Sequence, residues 1–291
     1  MIITTLISGL GNQLFQYAAG FALAKRLGTT LRMDTQFYQH NNLRPYELGR
    51  LCVSAKPLTA ADRFRIRVST SVAAAGPTRT LKQQIARALP IRRLTLADDL
   101  VAGCDPAIVG APDYTLIRGY WQNEGYFADC QADVRREFAF RSPPDASNAA
   151  VLARIRGRPS VCLHVRRGDY LNPAEVVAPA PLRYYADAIA WMRARVPGAA
   201  YYVFSDDPEW ARSNLPVAGA TFVTHNTGKN DPEDLRLMSA CDHFVIANST
   251  FSWWGAWLAA SPGKLVVAPR QWFSKPNANE AHIVPDRWVR L

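Results

Sequence analysis

Residues Ser160 to Tyr170 read SVCLHVRRGDY, and the fold follows from how this stretch is divided. Ser160 to Val165 is a short apolar run with β-branched Val161 and Val165, which suits a buried strand better than a helix. The chain then turns basic at Arg166 and Arg167, passes Gly168 as a turn residue and reaches Asp169. Two guanidinium forks and a carboxylate therefore stand just past the carboxyl end of a strand, where open α/β sheets bind ligands. Planar guanidinium groups make bidentate, charge-assisted bonds to phosphate oxygens, so the pair fits a phosphate-bearing ligand; a solvated Arg-Arg-Gly-Asp loop is the other reading.

Downstream, strand and helix patterns alternate. A helix is predicted from about Leu182 to Arg195, a strand from Tyr201 to Ser205 ending in Asp206 and Asp207, a helix from Pro208 to Asn214, and a strand from Thr221 to His225. Asp231-Pro232-Glu233-Asp234 reads as a helix start, with a capping residue, a proline in the first turn and acids against the positive dipole end. His243 to Asn248 is the next strand, Ser249 to Ala260 the next helix, and Lys264 to Pro269 another strand. Such alternation implies a doubly wound parallel sheet. The hydroxyl-rich first turn at Ser249, Thr250 and Ser252 would present free backbone N–H groups, a natural phosphate site, while Trp253, Trp254 and Trp257 lie at helical spacing and read as core.

Upstream, Met1 to Ser8 reads as a strand, Gly9 to Gln13 as a turn, Leu14 to Leu27 as a helix stopped by Gly28, and Thr30 to Met33 as a second strand. The opening is therefore a βαβ unit. It is not a dinucleotide fingerprint, because the third glycine of G-x-G-x-x-G would fall on Leu14. Tyr114 to Trp121 reads as a strand entering an aromatic turn. There Trp121, Gln122, Asn123, Glu124 and Tyr126 suit either a sugar acceptor or a packed aromatic corner. Leu81 to Leu89 reads as a basic helix, and the Pro- and Ser-rich Arg141 to Ser147 as a linker between domains 1–150 and 151–291. Whether the last segment, Asn277 to Leu291, folds back onto the first domain is left open by its spacing.

The chain has 291 residues, 48% hydrophobic and 20% charged, which describes a soluble globular protein with room for two modest domains. No apolar run approaches the ~20 residues of a membrane-spanning helix. The amino terminus lacks the basic start of a signal peptide and carries Asn12, Gln13 and Gln16 within its apolar part. Five cysteines, with no C-x-x-C pair, read as reduced thiols of a cytoplasmic protein, Cys162 and Cys241 among them in the core. A net charge of +10 draws the chain to anionic partners. Nucleic acid is disfavoured for want of any accompanying binding motif. Arg63, Arg65, Arg67, Arg79, Lys82, Arg87, Arg92 and Arg93 concentrate in one region, where peripheral contact with an anionic membrane at the inner face of the plasma membrane competes with a merely solubilising role.

HVRRGDY at His164 to Tyr170 resembles the H-x-R-R-x-D motif of the α-1,2-fucosyltransferases of glycosyltransferase family 11. GLGNQLFQYAAGFALAKRLG at the start, GYWQNEGYF in mid-chain and NSTFSWWGAWLA near the end resemble that family's other blocks in the same order. The resemblance implies an α/β fold of two Rossmann-like lobes facing a cleft, the GT-B type, with the acceptor on domain 1–150 and the GDP-sugar on domain 151–291. It implies GDP-fucose as donor, with His164 and one of Asp206 or Asp207 reading guanine, and Arg166, beside Arg167, on the diphosphate. Asn248, Ser249, Thr250 and Phe251 would complete the donor pocket. Gly11, Asn12 and Gln13 become cleft residues, and Trp121 and Gln122 acceptor contacts.

The expected reaction is inverting transfer of fucose to the 2-hydroxyl of a galactoside, on an oligosaccharide or a lipid-linked glycan, in bacterial surface-glycan assembly. Arg166 and the helix dipole would take the place of a metal, for Asp98-Asp99 and Asp206-Asp207 are adjacent pairs rather than D-x-D and no cluster has metal-ligand spacing. Asp169 and Glu175 are candidate bases, Asn12 an orienting group, and Asp169 alternatively a brace for an arginine. A related transferase of other linkage or donor, and a guanine-nucleotide-binding protein without catalysis, are the alternatives.

Overall fold

The computed structural model describes residues 1–40, 44–73, 92–95, 103–172, 177–275, 277 and 279–291. The chain divides into two compact units, Met1–Ala139 and Phe140–Leu291. This boundary falls ahead of the expected residue 150 because helix Ala146–Arg156 packs in the second unit. Asp145 caps that helix, and Asn148 within it donates to Asn226 at 3.0 Å. The expected linker thus supplies a helix cap.

In the first unit β1 (Ile2–Thr5) leads into α1 (Leu10–Arg26), followed by β2 (Leu31–Asp34), β3 (Lys56–Pro57), α2 (Ala60–Ala73), β4 (Arg92–Thr95), β5 (Thr115–Arg118) and α3 (Gln131–Glu137). The strands form one parallel sheet in the order β3-β2-β1-β5-β4. Helix α1 begins earlier than the expected Leu14, because the N–H groups of Asn12 and Gln13 already bond to the Gly9 carbonyl at 3.0 and 3.1 Å. Gly11, Asn12 and Gln13 therefore form the helix's first turn. Nearly every side of α1 is buried, and Gly20 allows the close approach that this requires: a Cβ there would stand 3.0 Å from both Thr4 Cβ and Leu31 Cδ1. Its basic last turn, Lys25 and Arg26, complements the dipole and pairs with Asp133 and Asp129.

The second unit carries α4 (Ala146–Arg156), β6 (Ser160–Val165), α5 (Leu182–Arg195), β7 (Ala200–Ser205), α6 (Pro208–Asn214) and β8 (Thr221–Val223). After these come α7 (Asp231–Ser239), β9 (His243–Val245), α8 (Thr250–Leu258), β10 (Val266–Ala268) and β11 (Val289–Arg290). Its parallel sheet runs β11-β10-β9-β6-β7-β8, the strand order of the Rossmann fold when β6 is counted first. All six residues of β6 are buried, as the apolar run at Ser160–Val165 implied for a central strand. Leu163, Val165, Ile189, Val203 and Val245 pack around it in the core. Connections leave in opposite directions from β6 and β9, so their carboxyl ends flank the point where a doubly wound sheet takes its ligand.

The tail belongs to this second unit. β11 pairs with β10, and the Arg290 guanidinium donates to the carbonyls of Glu280, Ala281 and Val284. Trp288 packs on Trp253 with ring centroids 5.5 Å apart, joining the buried indoles of Trp254 and Trp257. Cys162 and Cys241 are likewise buried.

Candidate functional site

The loop after β6 is held in shape by its own charges. Arg166 reaches Asp169 Oδ1 through Nη2 at 2.8 Å and Asp206 Oδ2 through Nη1 at 3.2 Å. Asp206 also accepts from the backbone N–H groups of Arg167 and Gly168, at 2.9 and 3.0 Å. A Cβ at 168 would stand 2.8 Å from Asp206 Oδ2, so any larger residue there must displace the Asp206 carboxylate. Arg167 is fixed separately: Nε donates to Asp207 Oδ2 at 3.2 Å, and its guanidinium lies 4.0 Å from the centre of the Trp210 ring. Asp207 in turn caps α6 by accepting from Trp210 N. Burial disfavours the Arg166 charge, yet Asp206 and Asp169 more than offset it and hold its pKa above the ordinary arginine value.

Two arginines against three aspartates leave this cluster slightly anionic, so the arginines are not simply surplus positive charge. Arg166 spends two of its five N–H donors on the aspartates. Beside it His164 is 6% exposed, and its Nδ1 has no hydrogen-bond partner. Burial first, and the Arg166 charge second, push this imidazole down to about 3, so it is neutral. Its ring lies 6.1 Å from that of Phe251 in the first turn of α8.

Beyond β9 the chain reaches Asn248 and then α8. Asn248 Nδ2 donates to the carbonyls of Ala178 and Trp272 at 2.9 and 3.0 Å, while its buried Oδ1 has no partner. Ser249 is the N-cap of α8, but its side chain makes no capping bond to the helix N–H groups. Other buried polar atoms of the described residues also lack partners, Gln16 Nε2 and Tyr185 Oη among them; His164 Nδ1, near the end of β6, and Asn248 Oδ1, three residues past β9, are two that lie by the switch point. Tyr170 ties the two loops together, its hydroxyl donating to Asn248 O at 3.3 Å and its ring lying 5.6 Å from the Arg166 guanidinium. Burial pushes this hydroxyl up to about 12.

A buried polar network adjoins the loop after β8. Asn226 Nδ2 donates to Asn148 Oδ1 at 2.9 Å and to Asp234 Oδ1 at 2.8 Å, and His225 Nε2 lies 3.0 Å from the same Asn148 oxygen. Burial raises Asp234 to about 7, helped by the charges of Asp231 and Glu233 and opposed by the Asn226 bond. The helix start at Asp231 was legible in sequence; that its fourth residue turns inward was not, since Asp is an ordinary first-turn residue for electrostatic reasons alone.

In the first unit the corresponding switch point lies between β1 and β5. Asn12 sits in α1's first turn with its amide oriented from both sides: Gln122 Nε2 donates to its Oδ1 at 2.8 Å, and its Nδ2 donates to Ser8 Oγ at 3.0 Å. Ser8 and Trp121 both have left-handed backbones, with φ of 68° and 54°. Strain of this kind persists where the surrounding structure over-determines it, and it gathers at functional sites. Of the residues expected to contact substrate, Trp121 and Gln13 are enclosed within the first unit. Trp121 is fully enclosed against Tyr126, a packed aromatic corner, and the amide of buried Gln13 is used by Ser8 O, Pro45 O and Glu47 N. Tyr120, which the sequence reading passed over, is the exposed ring of this turn.

The expected donor-side residues, His164, Arg166, Arg167, Asp169, Asp206, Asp207, Asn248, Ser249, Thr250 and Phe251, thus lie at or just past the carboxyl ends of β6, β7 and β9. Glu175, the Asp98-Asp99 pair, the helix expected at Leu81–Leu89, Arg79, Lys82 and Arg87 lie outside the described residues. Among the described residues no group of three His, Cys, Asp or Glu side chains is arranged to hold a metal ion, and no helix is long and apolar enough to cross a membrane.

The model of the family described as Glycosyl transferase family 11 matches residues 107–291. The chain is 30% identical to an alpha-1,2-colitosyltransferase of Escherichia coli, covering 100% of this chain and 99% of that protein. It is 28% identical to galactoside alpha-(1,2)-fucosyltransferase 2 of Bos taurus, over 98% of this chain and 77% of that one. Among solved structures, NodZ alpha-1,6-fucosyltransferase soaked with GDP-fucose superimposes with a TM-score of 0.51 at 15% identity, over 91% of this chain and 94% of that chain. This last likeness shows the fold, two Rossmann-like α/β units.

Proposed function

Because the chain belongs to glycosyl transferase family 11 and is a glycosyltransferase, we propose that it moves L-fucose from GDP-fucose to the 2-hydroxyl of a galactoside in surface-glycan synthesis. The observation that carries this reading is the second unit's switch point. Buried His164 Nδ1 and Asn248 Oδ1, both without partners, flank Arg166 and the uncapped start of α8. Neutral His164 suits the guanine, and the diphosphate falls to Arg166 and the α8 N–H groups.

The acceptor hydroxyl oxygen attacks the fucose anomeric carbon from the face opposite GDP and gives up its proton to water. The bond from that carbon to the β-phosphate oxygen breaks, GDP leaves with the electron pair, and the configuration inverts. Charge develops on the departing diphosphate, where a fixed guanidinium and oriented N–H dipoles act without reorganising. Asp169, ion-paired to Arg166, is read as its brace, and the Asn12–Gln122 amides orient the acceptor hydroxyl. Asp206 and Asp207, engaged by the backbone and by the arginines, set the loop's shape. In this reading no metal ion takes part.

Similarity to the colitosyltransferase favours a second donor reading, since colitose is the same L-sugar without its 3-hydroxyl. Purified protein offered GDP-fucose and lactose, with and without EDTA, should release GDP and form a fucosylated trisaccharide equally in both. Loss of turnover with EDTA and its return with magnesium would overturn the metal-free mechanism. Transfer only from the 3-deoxy donor would select the second reading.

A further inference from the structure

We propose that Glu280 is a positioning residue of the donor site: it fixes the turn at Trp272, and through the Trp272 carbonyl the amide of Asn248, so that Asn248 Oδ1 is left to accept from a sugar hydroxyl of the nucleotide sugar. The inference deepens the functional reading above and rests on it for the identity of the nucleotide.

The relay is a continuous run of hydrogen bonds within the second unit. One Glu280 carboxylate oxygen accepts from Trp272 N and the other from Phe273 N, the latter at 3.2 Å. Two successive N–H groups are thereby pinned beyond the carboxyl end of β10, and the Trp272 carbonyl is set against Asn248 Nδ2 at 3.0 Å. The turn that carries Glu280 is itself anchored. Arg290 donates to the carbonyls of Glu280, Ala281 and Val284 at 3.2, 2.6 and 2.8 Å, and Trp253 Nε1 of α8 donates to Ile283 O at 2.7 Å.

What the relay orients is an acceptor. Asn248 Nδ2 lies between two carbonyls, that of Trp272 and that of Ala178 at 2.9 Å, and a carbonyl can receive only the N–H side of an amide. Chemistry therefore decides which way the side chain is flipped. Oδ1 is the atom left over: the residue is 4% exposed, and this oxygen has no partner among the described residues. A buried acceptor without a donor costs stability, which a ligand recovers by supplying one. Phosphate oxygens cannot, because an ionised diphosphate has no hydrogen to give. Asn248 directly precedes Ser249, the N-cap of α8, and its backbone carbonyl takes the hydroxyl of Tyr170, whose ring lies 5.6 Å from the Arg166 guanidinium. With the diphosphate on that helix start and that arginine, the nearest hydroxyl donors belong to the sugars joined to it, ribose and fucose. Stapling the loops after β6 and β10 accounts for Nδ2 alone and leaves Oδ1 unexplained.

The test is a mutant cycle in the full chain, with Glu280→Gln, Asn248→Ser and the double variant. A glutamine offers one acceptor where two N–H groups need it. Calorimetry compares GDP, its 2′,3′-dideoxy analogue and GDP-fucose. In the parent chain, GDP should bind about five- to tenfold more tightly than the dideoxy analogue if the hydroxyl is the ribose's, or GDP-fucose more tightly than GDP by the same factor if it is the fucose's. Glu280→Gln should reduce that ratio to about twofold or less, and should change it by no more than about twofold in the Asn248→Ser background. A brace for the loop alone would weaken all three ligands equally or act additively with Asn248→Ser; either result, or a ratio that survives in Glu280→Gln, overturns the proposal. The Asn248 Nδ2 protons give a readout that needs no nucleotide. In nitrogen-15 NMR, with their signal assigned by its absence from Asn248→Ser, they should exchange with water at least tenfold faster in Glu280→Gln than in the parent. Unchanged exchange overturns the relay. Faster exchange in a chain that binds no guanine nucleotide supports the relay and sinks the functional reading instead.

Discussion

The two sheets present the same topological opening and fill it with opposite chemistry. In the second unit the strands that flank the switch point end in Arg166, Arg167, Asp169 and a buried neutral imidazole, with Asp206 and Asp207 supplied from β7. In the first unit the equivalent place holds the uncharged Ser8, Asn12 and Gln122 on two turns with left-handed residues, with the Arg44 side chain beside Gly9 at the edge. Formal charge is needed where a diphosphate must be gripped and released. Uncharged amides suit a hydroxyl that has to be aimed, because a nearby ion would bind water in its place.

If this contrast is right, the largest effect lies with Arg166. Arg166→Lys should lower kcat about a hundredfold to a thousandfold, the typical ~3 to 4 kcal/mol of a buried donor aimed at developing charge. An ammonium cannot reproduce the fork that spans Asp169 and Asp206. Near-normal GDP release by the lysine variant would break the distinction between a shaped guanidinium and a mere positive charge. Gly168→Ala comes next. Its Cβ must displace Asp206, at a cost of about 1 to 3 kcal/mol in folding stability, with kcat falling about tenfold or more, as checked by denaturant titration and initial rates.

On the uncharged side, Gln122→Ala removes one hydrogen bond of ordinary strength, so kcat/KM for lactose should fall about five- to tenfold while the GDP-fucose KM holds. A matching rise in the donor KM would show that the amide pair serves the nucleotide instead.

The last expected effect is in the pH dependence of stability, and two groups of the second unit carry it. His164 is held near 3 in the folded chain, below its ordinary value near 6.5, so the unfolded chain binds the extra proton and stability falls as pH drops from about 6.5 towards 3. Asp234 is held near 7, above its ordinary 3.8, so the folded chain binds the extra proton and stability falls as pH rises from about 4 to 7. Between about 4 and 6.5 the two slopes oppose each other. Asp234→Asn should therefore leave a stability that climbs with pH in that window, and His164→Gln one that declines, both read from urea midpoints. Identical, flat profiles in both variants would mean that neither group is held away from its ordinary value.

Most of the second unit was legible from sequence, for a physical reason: short apolar runs such as Ser160–Val165 and helix starts such as Asp231–Asp234 are local signals, and alternation constrains how parallel strands connect. The candidate donor residues were legible as well, because they follow strands directly. What stayed hidden was decided by contacts distant in sequence. The glycines at 9 and 11 looked like a turn, yet α1 begins at Leu10, its first turn closed by bonds to the Gly9 carbonyl and its Asn12 amide held by Gln122 and Ser8. Trp121 and Tyr120 are adjacent aromatic residues that composition cannot tell apart, yet the first is fully buried and the second exposed. Asp234 reads as dipole chemistry until Asn226 and Asn148 are seen beside it.

The indole cluster of α8 has an optical consequence. Trp253 lies three residues after Thr250, about 5 Å along the helix axis from the turn that receives the diphosphate in this reading, and its ring is 5.0 Å from Trp254, 6.2 Å from Trp257 and 5.5 Å from Trp288. Excitation absorbed by any of the four passes readily among them, so the emission of the group reports on whatever alters the polarity near the first. The helix that would receive the nucleotide therefore carries its own fluorescent gauge, and occupancy can be followed in the unlabelled protein.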